Sequence, residues 1–130
     1  LPGAEALCRR LAPGCTLASA TNGVAAAQRG RFARSPLKAL IPWLFISEEV
    51  GYQKPQRQFF GAVLSAMSLP PSARIVVVGD SLTADILGAV NAGLDSIWYN
   101  PSGLAGRPDI VPTFEARSFD QISHLILGGA

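Results

Sequence analysis

The chain of 130 residues is poor in charge, cysteine and histidine, and each shortage removes a class of function. Charged residues make up only 15% of it, and 11 basic against 9 acidic side chains leave a net charge of +2. That is far from the concentrated positive field that nucleic-acid binding requires, so nucleic acid is not an expected partner. Cys8 and Cys15 can build neither a disulfide framework nor a paired zinc motif, and a reducing, cytoplasmic setting is expected. His124 is the single histidine; a structural role is expected for it, because multi-histidine metal sites and nucleophile–histidine pairs lack material. No apolar run approaches the ~18 residues of a membrane span, and no basic region followed by an apolar core opens the chain. A soluble, unexported protein with no membrane partner is the expectation. The sequence begins at Leu1 rather than Met, which suggests that a segment upstream was removed or left out.

Apolar residues are plentiful at 48%, enough to bury a core, and the length suits one domain over residues 1–130. Thirteen glycines and 10 prolines fall between the apolar runs as loop punctuation rather than in one tract. Short runs, partly β-branched or aromatic, at 16–20, 44–47, 74–79, 95–99 and 113–116 are expected as buried strands. Helical spacing separates them. Ala4, Leu7, Cys8 and Leu11 suggest a first helix ended by Pro13 and Gly14. Pro55 is placed to open a helix whose apolar face is Phe59, Phe60, Val63, Leu64 and Met67. Leu82, Ile86, Ala89 and Val90 form a further stripe stopped by Gly93, and Ser118 with Gln121 is a capping-box pattern introducing a last helix. Residues 100–112, with three prolines and two glycines, are expected as a structured surface loop. Alternating strands and helices mean βα units, so the fold class is α/β: a Rossmann-like parallel sheet with helices on both faces.

In such sheets ligands bind beyond the carboxyl ends of the strands. Three strand ends carry polar residues there. Thr21, Asn22 and Gly23 follow the first strand; unpaired backbone N–H groups in that turn could hold an anion, although the same residues also make a good turn and helix cap. Lys54 precedes Pro55, and a lysine at a helix start needs an anion or carboxylate to compensate it, unless it is a solvated side chain beside Glu48 and Glu49. Asp80 leaves an apolar strand and Asp85 follows in the next helical turn. Two carboxylates so placed suit a hard, oxygen-liganded cation such as Mg²⁺, and an unpaired carboxylate ending such a strand would be costly without a ligand.

Thr-Asn-Gly at 21–23, Lys-Pro at 54–55 and Gly-Asp-Ser-Leu-Thr-Ala-Asp at 79–85, in that order, resemble motifs of the haloacid dehalogenase (HAD) superfamily of Mg²⁺-dependent phosphohydrolases. FISEEVGYQKP at 45–55 and GDSLTADILGAVNAGLDSIWYN at 79–100 resemble the branch containing pyrimidine 5′-nucleotidases. The resemblance implies that Thr21 binds the transferring phosphoryl group and that Asn22 helps orient it. It implies that Lys54 neutralises charge on nucleophile and phosphoryl oxygens, that Asp80 ligates Mg²⁺, and that Asp85 supports the metal site directly, through water or through Lys54. A small phosphorylated molecule, such as a nucleoside monophosphate, is the implied substrate.

The chain departs from that pattern in one respect. The family's first strand ends in Asp-x-Asp, supplying the nucleophile and the general acid/base, and a helical cap that largely sets selectivity usually follows. The aspartates here are Asp80, Asp85, Asp95, Asp109 and Asp120, with no two separated by one residue. The chain alone is therefore expected to be inactive, as the C-terminal core of a phosphatase. The family places the absent strand between those expected at 16–20 and 74–79. Those two edges are expected to pair directly or, failing that, to exchange strands between copies, as in a homodimer; an added peptide could also complete the sheet. One alternative is a non-catalytic module that keeps the phosphate and Mg²⁺ pocket. A receiver domain fits worse, since Lys54 comes before Asp80. Arg29, Arg31, Arg34 and Lys38 are expected as a solvated helix face, and Trp43, Trp98 and Tyr99 as packing residues.

Overall fold

The structure, a computed structural model, describes residues 3–128; Leu1 and the other terminal positions of the expected domain lie outside the described residues. Strands β1 (Ala18–Thr21), β2 (Trp43–Ile46), β3 (Val76–Gly79), β4 (Asp95–Tyr99) and β5 (Phe114–Ala116) are interleaved with helices α1 (Ala4–Leu11), α2 (Ala25–Ala33), α3 (Ser47–Val50), α4 (Arg57–Met67), α5 (Leu87–Ala92) and α6 (Phe119–Leu127), except that β4 leads to β5 through a loop with no helix. Every strand pairing is parallel.

The strands form two pieces, a two-stranded sheet β1-β2 and a three-stranded sheet β3-β4-β5. Direct pairing of β1 with β3 was the first expectation for the exposed edges, and it does not occur. The reason lies in α4. Its buried Phe59, Phe60 and Val63 pack on Ala20 and Phe45 from one piece and on Val77 from the other, which fixes both pieces on a common floor. Val78, in the middle of β3, is left 40% exposed.

Side-chain alternation then sorts the core into layers. Val76, Ile97, Tyr99 and Ala116 face Leu7 of α1 and Phe119, Ile122 and Ile126 of α6. Trp98, on the opposite side of β4, packs with Ile86 and Ile110. Helices thus cover both faces.

Local sequence explains where the elements begin and end. The Ser118 hydroxyl accepts from the Gln121 N–H at 3.1 Å, the cap expected for α6, and the Gln121 side chain reaches back to the Arg117 N–H at 2.6 Å. Gly93 ends α5 with φ of 72°, a left-handed conformation that costs glycine little. Helix α4 starts at Arg57, two residues after the proline expected to open it, with Gln56 as its N-cap. The stripe expected from Leu82 begins as a π-helical turn over Leu82–Ile86, in which the Ile86 N–H reaches the Ser81 carbonyl at 3.1 Å, and becomes α-helical only at Leu87. Such turns are uncommon and concentrate at functional sites. Residues 100–112 are a structured loop: the buried Asn100 side chain donates to the Leu104 carbonyl and the Glu115 carboxylate, each at 2.9 Å, and accepts from the Leu104 N–H at 2.9 Å.

Candidate active site at the carboxyl ends of the strands

Thr21 is the last residue of β1, Lys54 lies in the connection after β2, and Asp80 and Asp85 follow β3, so all four belong to the same end of the divided sheet. Lys54 and Asp85 are in contact. The Lys54 ammonium donates to Asp85 Oδ1 at 2.5 Å and to the Ala20 carbonyl at 2.9 Å, with the two side chains only 11% and 13% exposed. The carboxylate that compensates this lysine is therefore Asp85, 31 residues away, and the solvated pairing with Glu48 and Glu49 is not what forms. A single ammonium bridges β1 to the turn that follows β3.

Asp85 is held on its other side as well, since its Oδ2 accepts from the Ser81 N–H at 3.2 Å. Its carboxylate lies against the backbone of Gly79, where an added Cβ would collide with it. Glycine at 79 is thus required by the close approach of a charged side chain. The Ser81 hydroxyl accepts from the Ala84 N–H at 3.1 Å and fixes the start of the helical turn that presents Asp85.

Asn22 takes a place that the sequence did not reveal. Its Oδ1 accepts from the Lys54 N–H at 2.9 Å and its Nδ2 donates to the Lys54 carbonyl at 3.1 Å. Both hydrogen-bonding groups of the Lys54 backbone are thereby clamped by one side-chain amide, and Asn22 positions the lysine. The Thr21 hydroxyl makes one long bond, 3.2 Å, to the Asn22 carbonyl.

The expectation of unpaired amides in the turn after β1 fails at two positions. The Gly23 N–H donates to Ser47 Oγ at 2.9 Å, and the Ala25 N–H at the start of α2 donates to Glu48 Oε1 at 2.8 Å. Ser47 and Glu48 cap this turn from α3, a helix that sequence spacing did not mark because it spans only Ser47–Val50. Glu49 pairs with Arg29 at 2.6 Å, which takes the first residue of the basic run into a half-exposed ion pair. Glu49 is held below the usual carboxylate range by that hydrogen bond.

Asp80 differs from its neighbours. Its side chain is exposed and has no hydrogen-bond or ion-pair partner among the described residues, while its backbone carbonyl accepts from the Trp98 indole at 3.1 Å. An exposed carboxylate without a partner beside a lysine–carboxylate pair offers oxygen ligands to a hard cation, which typically keeps several waters and takes one or two protein carboxylates. These residues fit Mg²⁺ in that limited sense; no group of three or more metal-ligating side chains occurs among the described residues. His124 is exposed on α6 and shares no hydrogen bond with these groups. Among the described residues, no helix is long and apolar enough to cross a membrane.

Comparison with known proteins places the chain in a family. A HAD-hydrolase-like family model matches residues 51–119, the stretch that carries Lys54, Asp80 and Asp85. Pyrimidine 5′-nucleotidase PynA of Streptococcus pneumoniae is 41% identical over 106 residues, 82% of this chain and 45% of that protein. Pyrimidine 5′-nucleotidase YjjG of Escherichia coli is 35% identical over 126 residues, 97% of this chain and 56% of its own length. The putative HAD-hydrolase YfnB of Bacillus subtilis, solved bound to magnesium, superposes with a TM-score of 0.88 at 36% identity, covering 97% of this chain and 55% of that one. The chain thus spans about half the length of the relatives it matches. With the motif region matched by the family model and both sheet pieces superposable on a solved relative, the chain belongs to the HAD-hydrolase-like family.

Proposed function

We propose that this chain forms the phosphate- and Mg²⁺-binding part of a phosphomonoesterase that acts on a small phosphorylated molecule, with a nucleoside monophosphate as the leading candidate. The observation that carries this is the Lys54 ammonium held between the Ala20 carbonyl and Asp85, at the same strand ends as the Thr21 hydroxyl and the Asp80 carboxylate, which has no partner among the described residues. Phosphoryl transfer depends on positioning and charge neutralisation, and this cluster supplies a fixed cation and a hydroxyl donor. The names of PynA and YjjG favour nucleotides as the substrate class.

In this reading Thr21 binds a phosphoryl oxygen, Lys54 neutralises phosphoryl charge, and Asn22 holds Lys54 in place. Asp80 would hold Mg²⁺, with Asp85 contributing through Lys54 or a water; bound there, Mg²⁺ would polarise the phosphoryl oxygens. The 130 residues contain no Asp-x-Asp. The nucleophile and the acid/base therefore come from a parallel strand seated between the free edges of β1 and β3, and the chain by itself binds without turning over. A non-catalytic binding module is the second reading, favoured by that same missing pair.

The test is release of phosphate from p-nitrophenyl phosphate and a pyrimidine nucleoside monophosphate in Mg²⁺, with the chain alone and with a peptide bearing an apolar strand ended by Asp-x-Asp. The chain alone should be inactive yet bind orthophosphate through Thr21 and Lys54, and the peptide should restore turnover that Asp80→Ala abolishes. Asp80-dependent turnover by the chain alone would overturn the claim about the nucleophile. Orthophosphate binding that the peptide never converts to turnover would favour the binding module. Absence of orthophosphate binding would remove the phosphate site altogether.

A further inference from the structure

To hold a metal ion, Asp80 would need a backbone held still, because its own carboxylate has no partner among the described residues to orient it. The carbonyl of Asp80 and the N–H of Ser81 belong to one peptide unit. That unit is gripped from both sides: the Trp98 indole donates to the carbonyl at 3.1 Å, and the N–H donates to Asp85 Oδ2 at 3.2 Å. Fixing its orientation fixes ψ of Asp80 and so the direction in which the side chain leaves the strand end. Asp85 is also bound to Lys54, whereas the Trp98 indole has a single N–H and directs it here.

The surroundings of Trp98 protect that bond. Trp98 is 3% exposed, paired in register with Gly79, and packed with Ile86 and Ile110. Ile110 belongs to the 100–112 loop, as does Gly106, where an added Cβ would stand 3.7 Å from the outer edge of the indole. The loop that Asn100 pins therefore shields the ring. A buried indole N–H bond is stronger for the exclusion of competing water.

We propose that Trp98 is a positioning residue for Asp80 as a Mg²⁺ ligand, and that the 100–112 loop keeps its indole buried for that purpose. This rests on the reading of Asp80 as the metal ligand given above. Trp98→Phe keeps an aromatic ring against Ile86 and Ile110 and removes the donor. The experiment is a Mg²⁺ titration of the 130-residue chain followed by NMR, reading the backbone amides of residues 79–81 and the two indole N–H signals of Trp43 and Trp98.

Mg²⁺ should move the amides of residues 79–81 and the Trp98 indole saturably, leave the Trp43 indole in place, and move neither in Asp80→Asn. Trp98→Phe should weaken Mg²⁺ binding about fivefold, the scale of one lost hydrogen bond, and Ile110→Ala should weaken it less. Saturable shifts at residues 79–81 with equal affinity in Trp98→Phe would overturn the proposal while leaving the metal site standing. No saturable shift in the unmutated chain would overturn both. Should Trp98→Phe fail to fold, the indole signal of the unmutated chain decides: a Trp98 resonance that ignores Mg²⁺ while the amides respond overturns the proposal.

Discussion

Strands β3, β4 and β5 bury Ile97, Trp98 and Ala116, backed by Ile86, Ala89, Ile110 and Ile122, whereas β1 and β2 bury Ile46 alone. Around the smaller piece, α2 and α3 contribute no buried residue, and the 3₁₀ turn Pro36–Ala39 adds none. The larger piece has a core of its own. The smaller one is placed by α4, which it shares with the larger, and by polar clamps: Asn22 on Lys54, Ser47 on Gly23, Glu48 on Ala25. Yet the smaller piece supplies Thr21, Asn22 and Lys54, three of the five residues of the candidate site. A polar site cluster can thus be mounted on weakly packed structure when a helix and a bridging lysine tie it to a better packed neighbour.

The strongest way to break this contrast is at the shared helix. Phe59 is fully buried beneath both pieces, so Phe59→Ala should cost about 3–5 kcal/mol and lower the urea midpoint of the entire chain. A cost below about 1.5 kcal/mol would mean that α4 does not hold the pieces together. Lys54→Met comes next, because it leaves Asp85 mostly buried with only the Ser81 N–H. Its expected cost is about 2–4 kcal/mol, with part recovered when Asp85→Asn is added, as a double-mutant cycle in urea would measure.

Hydrogen exchange sharpens the comparison without mutation. The amides paired between β1 and β2 should exchange roughly tenfold faster than those between β3 and β4, since few buried apolar contacts protect them. Equal protection would place both pieces in one cooperative unit and reduce the distinction to appearance. Asn22→Ala should cost about 1 kcal/mol, because both clamped groups of Lys54 can turn to water, and should weaken orthophosphate binding more than it lowers stability. Loss of stability with unchanged binding would return Asn22 to the role of a turn residue.

How much of this was legible in the sequence follows the same division. The larger piece carries clear apolar strand runs and repeated helical spacing, so Asp95–Tyr99 appears at its expected bounds and Ser118 caps α6 as its spacing indicates. Asp80 and Asp85 stood out because charge interrupts an apolar strand end. The smaller piece is short of such signals. Helix α3 is too brief to show periodicity, and the pairing of Lys54 with Asp85 spans 31 residues that no local pattern links. The split sheet was hidden for another reason: edge strands tend to pair, and no local pattern reveals that α4 packs on both pieces while they stay separate. Gly79 carried a usable signal, a glycine directly before a strand-end aspartate, which marks close approach of another group to the backbone.

The smallest expected effect lies at the outer rim of the smaller piece, in the pair of Arg29 with Glu49. Both side chains are substantially exposed, at 54% and 37%, so salt and solvent weaken their attraction. Glu49 is nevertheless held below its ordinary range, mainly by the hydrogen bond from Arg29. A carboxyl whose folded pKa is depressed binds its proton more readily in the unfolded chain. Its contribution is therefore present above the unfolded value of about 4.3 and fades as pH falls through the folded value. The stability difference between the chain and Glu49→Gln should accordingly be small near neutral pH, vanish in acid below that range, and shrink when salt is raised. Thermal melts at pH 7 and pH 3, each at low and high salt, measure it. A difference that survives at pH 3 would show that Glu49 acts on α2 through packing rather than through its charge, and that the smaller piece is less dependent on polar clamps than its sparse core implies.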